Sequence, residues 1–203
     1  MQTKNMKNEV VVASGNAGKL KEFQEIFRPF DIQVIGQKTL SIPEAEETGA
    51  TFVENAILKA RNAAKHSGKP ALADDSGLEV DALNGSPGIY SARYAGLKAS
   101  DADNVNKLLV ELNGNSQRKA RFQCVIVYLR HEKDPTPLIC QGTWEGVIAH
   151  QPQGVNGFGY DPVFFIPQQQ CTAAELPSEL KNRLSHRGQA LNALITTLNI
   201  RPV

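Results

Sequence analysis

The sequence has no apolar run near the length of about 20 residues that a membrane-spanning helix needs. Residues 1–12 also lack the apolar core of a secretory signal. The sequence also lacks an excess of charge of either sign, because it has 22 Lys and Arg and 21 Asp and Glu in 203 residues. Such a balance gives no bulk attraction to nucleic acid or membrane surfaces. We therefore expect a soluble cytoplasmic protein that binds neither.

Cysteine is scarce, and its spacing excludes the usual metal and redox motifs. Cys124, Cys140 and Cys171 form no Cys-x-x-Cys pair, and the first two lie in apolar, strand-like runs. We expect three reduced thiols, two of them buried. Internal repeats and low-complexity segments are absent as well. The length suits one well-buried core, so we predict a single domain over residues 1–203.

Strand and helix patterns alternate in the first half of the chain. An apolar run at 9–13 precedes a glycine-rich loop and a helical pattern, and Thr51 with Glu54 forms a capping box before a second helix. The strand-like runs at 120–130 and 138–149 flank a turn and favour antiparallel pairing. We predict an α/β fold with flanking helices on a mixed sheet.

Two adjacent carboxylates, Asp74 and Asp75, end an apolar run and precede Ser76 and Gly77. Burying both charges beside apolar residues would cost desolvation and mutual repulsion, so the pair needs a cation. A divalent metal would remove that cost and supply chemistry. The same four residues are equally typical of a turn, and the fragment alone leaves both interpretations open. From residue 78 to 83 a separate strand is predicted.

Residues 14–19 (SGNAGK) place backbone amides and a lysine at the start of a helix, which favours phosphate. The spacing excludes a P-loop, because two residues rather than four separate the glycines and Leu20 follows Lys19. The alternative is a glycine-rich turn with a solvated lysine. Glu46 and Glu47 precede the capped helix, where they could add a metal oxygen or simply complement the helix dipole.

Basic and aromatic residues gather near the C-terminal end. His186 and Arg187 begin the last helix, where the dipole disfavours positive charge, and Lys181 lies one turn upstream. An anionic or carbonyl-bearing ligand would explain that placement. Phe158, between two glycines, can present a flat face to a base, and Asp161 can accept hydrogen bonds from it. A well-capped surface helix and an aromatic core residue are the alternatives.

Taken in order, these motifs resemble the inosine triphosphate pyrophosphatase family over nearly the whole chain. The motifs that carry the resemblance are residues 14–19, 46–49 (EETG), 74–78 (DDSGL), 91–94 (SARY), 157–162 (GFGYDP) and 185–188 (SHRG). The ordered set is more specific than any one motif. Two positions depart from the usual pattern: Leu180 replaces a common acid, and Gln170-Cys171 replaces a usual Gly-Lys.

The resemblance implies an elongated α/β fold on a mixed sheet, with two lobes enclosing a nucleotide cleft. It implies a homodimer and Mg²⁺-dependent hydrolysis of purine nucleoside triphosphates. The substrates would be the non-standard nucleotides ITP, dITP and XTP, and the products the monophosphate and pyrophosphate. Removing these nucleotides from the pool keeps them out of DNA and RNA.

Carried over by position, Asp75 resembles the catalytic proton acceptor and a magnesium ligand, and Glu46 the second magnesium ligand. The residues that resemble the substrate-binding set are Ser14, Gly15, Asn16, Ala17, Gly18, Lys19, Lys59, Ser76, Phe158, Gly159, Tyr160, Asp161, Lys181, His186 and Arg187. Two other classes stay as alternatives, a nucleotide-binding protein without catalysis and a P-loop kinase or ATPase. The intact acids argue against the first, and the spacing around Lys19 against the second.

Overall fold

The computed structural model describes residues 9–202. Helices and strands alternate in the first half of this range, and none of its helices is long and apolar enough to span a membrane. The elements are β1 (Glu9–Val12), α1 (Ala17–Phe27), β2 (Gln33–Gly36), α2 (Phe52–Ser67), β3 (Ala71–Val80), α3 (Asp101–Glu111), β4 (Lys119–Leu129), β5 (Leu138–Ile148), β6 (Phe164–Ile166), β7 (Cys171–Thr172), α4 (Ser178–Leu184) and α5 (His186–Leu198).

The strands of this range form one seven-stranded sheet in the order β2-β1-β3-β4-β5-β6-β7. Strand β1 runs parallel to β2 and β3, whereas β6 runs antiparallel to β5 and β7. The predicted mixed α/β sheet is therefore confirmed. The chain divides into two compact units, and the division falls within β3, β4 and β5. The first unit takes residues up to 75, 125–141 and those from 190, and the second takes 76–124 and 142–189.

Small side chains build the core of the first unit. One face of α2 carries four buried alanines, and they belong to the same cluster as buried residues of β1, β3 and β4. Helix α2 begins after Thr51, whose hydroxyl accepts a hydrogen bond from the Glu54 amide, and ends at Gly68 with φ of 63°. The predicted helix cap at Thr51 is thus present, and the Glu54 carboxylate accepts from Ala50 N and from the Thr51 hydroxyl. Alanine on the buried face lets a helix lie close to a sheet.

Aromatic side chains fill the core of the second unit. The ring of Phe164 lies 4.6 Å from that of Phe122 and 5.3 Å from that of Trp144. Helix α3 closes this cluster with buried Val105 and Leu108. All three cysteines are free thiols, as predicted, and two of them are buried.

The prediction of two strands separated at the acidic pair is wrong, because β3 continues from Ala71 to Val80. The sequence Asp-Asp-Ser-Gly therefore forms no turn. Gly77 is needed for close approach, since a Cβ there would lie 2.2 Å from the Gly88 carbonyl oxygen. A short 3₁₀ turn, Asp81–Leu83, ends the strand. Asp74 and Asp75 consequently lie in mid-strand, where neighbouring side chains point to opposite faces.

Candidate active site

A lysine of α2 joins two carboxylates in the first unit. The Lys59 ammonium donates to Asp75 Oδ1 at 2.7 Å and to Glu47 Oε1 at 2.9 Å. Asp75 is only 7% exposed, in the middle of β3. The structure thus brings two of the predicted site residues together. Glu47 joins them, whereas Glu46 lies exposed.

Asn55 supports the same carboxylate from one helical turn away. Its side chain is fully buried, and its amide nitrogen lies 3.4 Å from Asp75 Oδ2. Its amide oxygen accepts a hydrogen bond from Gly49 N at 2.8 Å. No sequence motif marks Asn55 as a site residue, although its spacing from Lys59, one turn along α2, puts both on one face of the helix.

The second aspartate pairs with a different lysine. Asp74 is 1% exposed, and its Oδ2 lies 2.9 Å from the Lys19 ammonium. Lys19 is in the first turn of α1, where the Asn16 side chain caps the helix by accepting from Lys19 N at 3.0 Å. Loop 14–19 therefore lies beside the acidic pair. The cation that the sequence required is supplied in this structure by two lysines from separate helices.

Burial and charge act in opposite directions on this cluster. Burial raises the pKa of the Asp75 carboxyl, and the charge and hydrogen bond of Lys59 offset only part of that rise. For Lys59, burial lowers the pKa, but the charges of Asp75, Asp74 and Glu47 outweigh it, so the pKa is raised overall. Lys59 is therefore a firmly protonated cation beside a carboxylate that binds a proton more readily than usual.

The oxygen atoms of this cluster fit a magnesium ion. In the described range no group of three or more His, Cys, Asp or Glu side chains gathers as a metal site. Magnesium takes only one or two carboxylates, with water and phosphate oxygens as the other ligands. Glu47 Oε1 and Asp75 Oδ1 already converge on one cation, the Lys59 ammonium. Carboxylate oxygens that gather beside one another are the kind of ligand that magnesium prefers.

The second unit contains the predicted aromatic and basic residues. The Lys181 ammonium lies 4.7 Å from the centroid of the Phe158 ring and donates to Asp161 Oδ2 at 2.7 Å. The same carboxylate oxygen accepts from Phe158 N at 2.9 Å. Asp161 therefore closes the glycine-rich turn and fixes Lys181 against the aromatic ring. The base contact that the sequence suggested for Asp161 stays a prediction.

His186 and Arg187 are buried at the start of α5. Arg187 is 2% exposed, donates to Ser76 Oγ at 2.9 Å, and has its guanidinium carbon 5.8 Å from the Phe158 ring centroid. The His186 ring stacks on Phe122, with 4.7 Å between the centroids. Arg187 and Lys181 thus both lie over the Phe158 ring, which stabilises them by cation–π attraction.

The backbone of the glycine-rich turn is anchored by residues outside it. Tyr160 is 4% exposed, and its hydroxyl donates to the Ser91 carbonyl oxygen at 2.9 Å. Gly159 N donates to Asp101 Oδ2 at 2.7 Å. The sequence analysis missed Asp101, because nothing local links the start of α3 to a turn 58 residues further along the chain.

Comparison with known proteins decides the family. The model of the Ham1 family matches residues 10–197. This chain belongs to the Ham1 family. A curated relative from Shigella flexneri, named dITP/XTP pyrophosphatase, is 57% identical over 192 residues, covering 94% of this chain and 98% of the relative. A relative of the same name from Vibrio vulnificus is 54% identical over 197 residues, covering 96% and 98%.

A solved structure supports the same conclusion for the fold of this Ham1 family member. The HAM1 protein from Coxiella burnetii has a TM-score of 0.86 and 56% identity, covering 94% of this chain and 98% of that protein. The family predicted from the ordered motifs is confirmed. Chemically, the Ham1 chain presents a carboxylate with a raised pKa beside two ammonium groups, and an aromatic ring flanked by cations. The first arrangement suits a polyphosphate and the second a purine.

Proposed function

We propose that this chain is a nucleoside triphosphate pyrophosphatase that hydrolyses ITP, dITP and XTP to the monophosphate and pyrophosphate. The observation that carries the proposal is the contact of Lys59 with both Asp75 and Glu47, next to the Lys19–Asp74 pair. The relatives named dITP/XTP pyrophosphatase support the substrate class. The cellular role is to keep these nucleotides out of DNA and RNA.

In the proposed reaction, Asp75 accepts a proton from the water that attacks the α-phosphorus. Its raised pKa brings it closer to the operating pH, which makes it a better base than an ordinary aspartate. The bond from the α-phosphorus to the bridging oxygen breaks, and pyrophosphate leaves with its electron pair. Lys19 and Lys59 neutralise the charge on the phosphate oxygens, together with the amides of loop 14–19.

Asp75 and Glu46 are the proposed Mg²⁺ ligands, and Glu47 is a second candidate because it already faces Lys59. When bound, Mg²⁺ supplies positive charge to the triphosphate oxygens. Two carboxylates are sufficient for such a site.

The proposed purine site uses the flat face of Phe158 for stacking. Donors from Lys181, His186 and Arg187 engage the 6-oxo group, which hypoxanthine and xanthine share. Adenine carries an amino group there, so a buried donor would be left unpaired. Ser76, bonded to Arg187, would contact the nucleotide from β3.

Pyrophosphate release from ITP, XTP, GTP and ATP, with and without Mg²⁺, tests this function. We expect Mg²⁺-dependent pyrophosphate from ITP and XTP, with a rate at least about tenfold lower for ATP. Guanine shares the 6-oxo group, so rejection of GTP requires a further contact at position 2 of the purine. Binding of ITP without turnover would instead indicate a nucleotide-binding protein. Orthophosphate from ATP would indicate a kinase or ATPase. Either result contradicts the proposal.

Adjacent glutamates allow a matched test of the metal ligand. Glu46→Gln and Glu47→Gln remove one charge each, one residue apart, so general electrostatic effects are similar. The Mg²⁺ concentration for half-maximal activity should rise about tenfold for the true ligand and about twofold or less for the other. If this Mg²⁺ concentration rises about twofold or less for both variants, neither glutamate is a metal ligand.

We further propose that the chain forms a homodimer and acts in the cytoplasm, as the family resemblance implies. Light scattering coupled to size-exclusion chromatography tests the first point, with a mass of twice 22.1 kDa expected. A monomer mass at micromolar concentration would contradict it. Fractionation of cells that express the tagged chain tests the second.

A further inference from the structure

Two charged side chains outside the predicted site meet the loop 14–19 at Gly15. The Lys38 ammonium donates to the Gly15 carbonyl oxygen at 2.9 Å. A Cβ at Gly15 would lie 2.2 Å from Glu44 Oε1 and 3.5 Å from Lys38 Cε. A side chain at this position would displace the Glu44 carboxylate, which is the flexible end of an exposed side chain. All three residues are exposed, so the contact can open without disturbing the core.

The fold brings these residues together. Strands β1 and β2 are parallel, with Val12 opposite Gly36, so the chain leaves both strands at the same edge of the sheet. Lys38 lies in the 3₁₀ turn Gln37–Leu40 directly after β2. Glu44 follows Pro43, whose carbonyl oxygen accepts a hydrogen bond from the Asn62 side chain at 2.7 Å.

The charges of the buried cluster explain why a further cation is needed. Lys19 and Lys59 pair with three carboxylates, Asp74, Asp75 and Glu47, so these five side chains together carry one net negative charge. A nucleoside triphosphate adds about four more negative charges, and one divalent metal cancels only two. Lys38 donates to a neutral carbonyl, so that contact leaves its positive charge uncancelled.

We propose that Lys38 binds the phosphates that leave as pyrophosphate and that Glu44 competes with those phosphates at Gly15. The proposal rests on the proposed function of loop 14–19. The reacting phosphorus lies by the buried Asp75 and Lys59, so the exposed Lys38 meets the outer phosphates. A polyphosphate displaces the Glu44 carboxylate, whereas the monophosphate product has too little charge there to do so. Lys38 and Glu44 thus favour triphosphate over monophosphate.

Lys38→Met and Glu44→Gln test the two roles, with Lys38→Arg as the conservative variant. Lys21→Met and Glu25→Gln are matched controls, because this exposed pair on α1 is 3.9 Å apart and lies outside the site. The measurements are kcat and KM for ITP and the inhibition constants of pyrophosphate and IMP at fixed Mg²⁺. Thermal melts verify that each variant is folded.

For Lys38→Met we expect KM and the pyrophosphate constant to rise about tenfold, with kcat and the IMP constant within about twofold. Lys38→Arg should stay within about threefold of the wild type. Glu44→Gln should lower KM and the pyrophosphate constant about threefold, because it removes a competing charge. The controls should leave all constants within about twofold.

Two results would overturn the proposal. If Lys38→Met weakens IMP and pyrophosphate alike, Lys38 only anchors the loop. If its constants equal those of Lys21→Met, Lys38 has no part in binding. Calorimetric binding of pyrophosphate with Mg²⁺ keeps this test separate from the proposed function. If the wild type releases no pyrophosphate from ITP, the proposed function is contradicted. The comparison of pyrophosphate binding between the wild type and Lys38→Met still decides the role of Lys38.

Discussion

Two buried aspartates of the first unit, Asp75 and Asp134, have opposite environments. Asp134 is 1% exposed and lies in the loop between β4 and β5. It accepts from Arg130 N at 3.0 Å, from Arg130 Nε at 2.8 Å and from Thr136 N at 3.1 Å. Asp75 is 7% exposed and receives one short bond, from Lys59, and one long contact, from Asn55.

The difference appears in the proton affinities. Hydrogen bonds from Arg130 hold the pKa of Asp134 well below its usual range, against the effect of burial. Burial dominates at Asp75 and raises its pKa, because Lys59 compensates it only in part. A carboxylate surrounded by donors is part of the fold, whereas one with oxygen lone pairs to spare can take a metal, a water or a proton.

The largest expected effect is on catalysis at Asp75. Asp75→Asn should lower kcat for ITP about a thousandfold or more at saturating Mg²⁺, because it removes the base and one metal ligand. Its free energy of unfolding should change by less than about 1 kcal/mol, because relief of a desolvated carboxylate and loss of the Lys59 partner oppose each other. Near-normal turnover would refute the catalytic assignment.

Asp134→Asn is the matched structural change. We expect a loss of about 2 kcal/mol in the free energy of unfolding, because Arg130 donors would face an amide instead of a carboxylate. The value of kcat/KM at 25 °C should stay within about twofold. Urea unfolding and pyrophosphate release measure the two effects. An unchanged free energy of unfolding together with lost activity would show that Asp134 serves function and not the fold.

The sequence was sufficient for most elements because their signals are local. The helix cap at Thr51 and the strand-like runs at 120–130 and 138–149 depend only on neighbouring residues, and the observed ends agree within about two residues. The continuous β3 was missed because Asp-Asp-Ser-Gly is typical of a turn, whereas the close approach of Gly88 to Gly77 is a contact with the next loop that the local pattern does not show.

The partners of the acidic pair could not be read from the sequence. Lys19 and Lys59 were candidates for phosphate, but their pairing with Asp74 and Asp75 depends on how β1, β3 and α2 pack. Lys38 carried no motif, and only the parallel register of β1 and β2 brings it to Gly15. Long-range charge pairs follow from strand order, which periodicity does not encode.

Asp161 is an intermediate case that sharpens the comparison. It is surrounded by donors, as Asp134 is, but it holds two proposed binding residues, Lys181 and Phe158. Asp161→Asn should raise KM for ITP about tenfold, with kcat within about threefold, because the purine site loosens while Asp75 is untouched. Asp101→Asn removes only the hydrogen bond that anchors Gly159, so it should raise KM for ITP about threefold. A fall in kcat alone would contradict this holding role.

The smallest expected effect is on the pH dependence of the free energy of unfolding, which should have opposite signs for the two aspartates. The depressed pKa of Asp134 means that its contribution to stability is full above the unfolded pKa of about 3.9 and is lost as pH falls toward the folded value. The deficit of Asp134→Asn should therefore shrink by about 0.7 kcal/mol between pH 7 and pH 3.5.

The raised pKa of Asp75 acts in the opposite direction, because the folded state binds the proton more tightly than the unfolded chain. Its stability contribution is present below the unfolded pKa and lost as pH rises through the folded value. Relative to the wild type, Asp75→Asn should therefore lose free energy of unfolding as pH falls from 7 to 3.5, whereas Asp134→Asn should gain it. Urea unfolding of the metal-free proteins at both pH values measures the two trends. A change in the same direction for both variants would show that the two carboxylates do not differ as their contacts indicate.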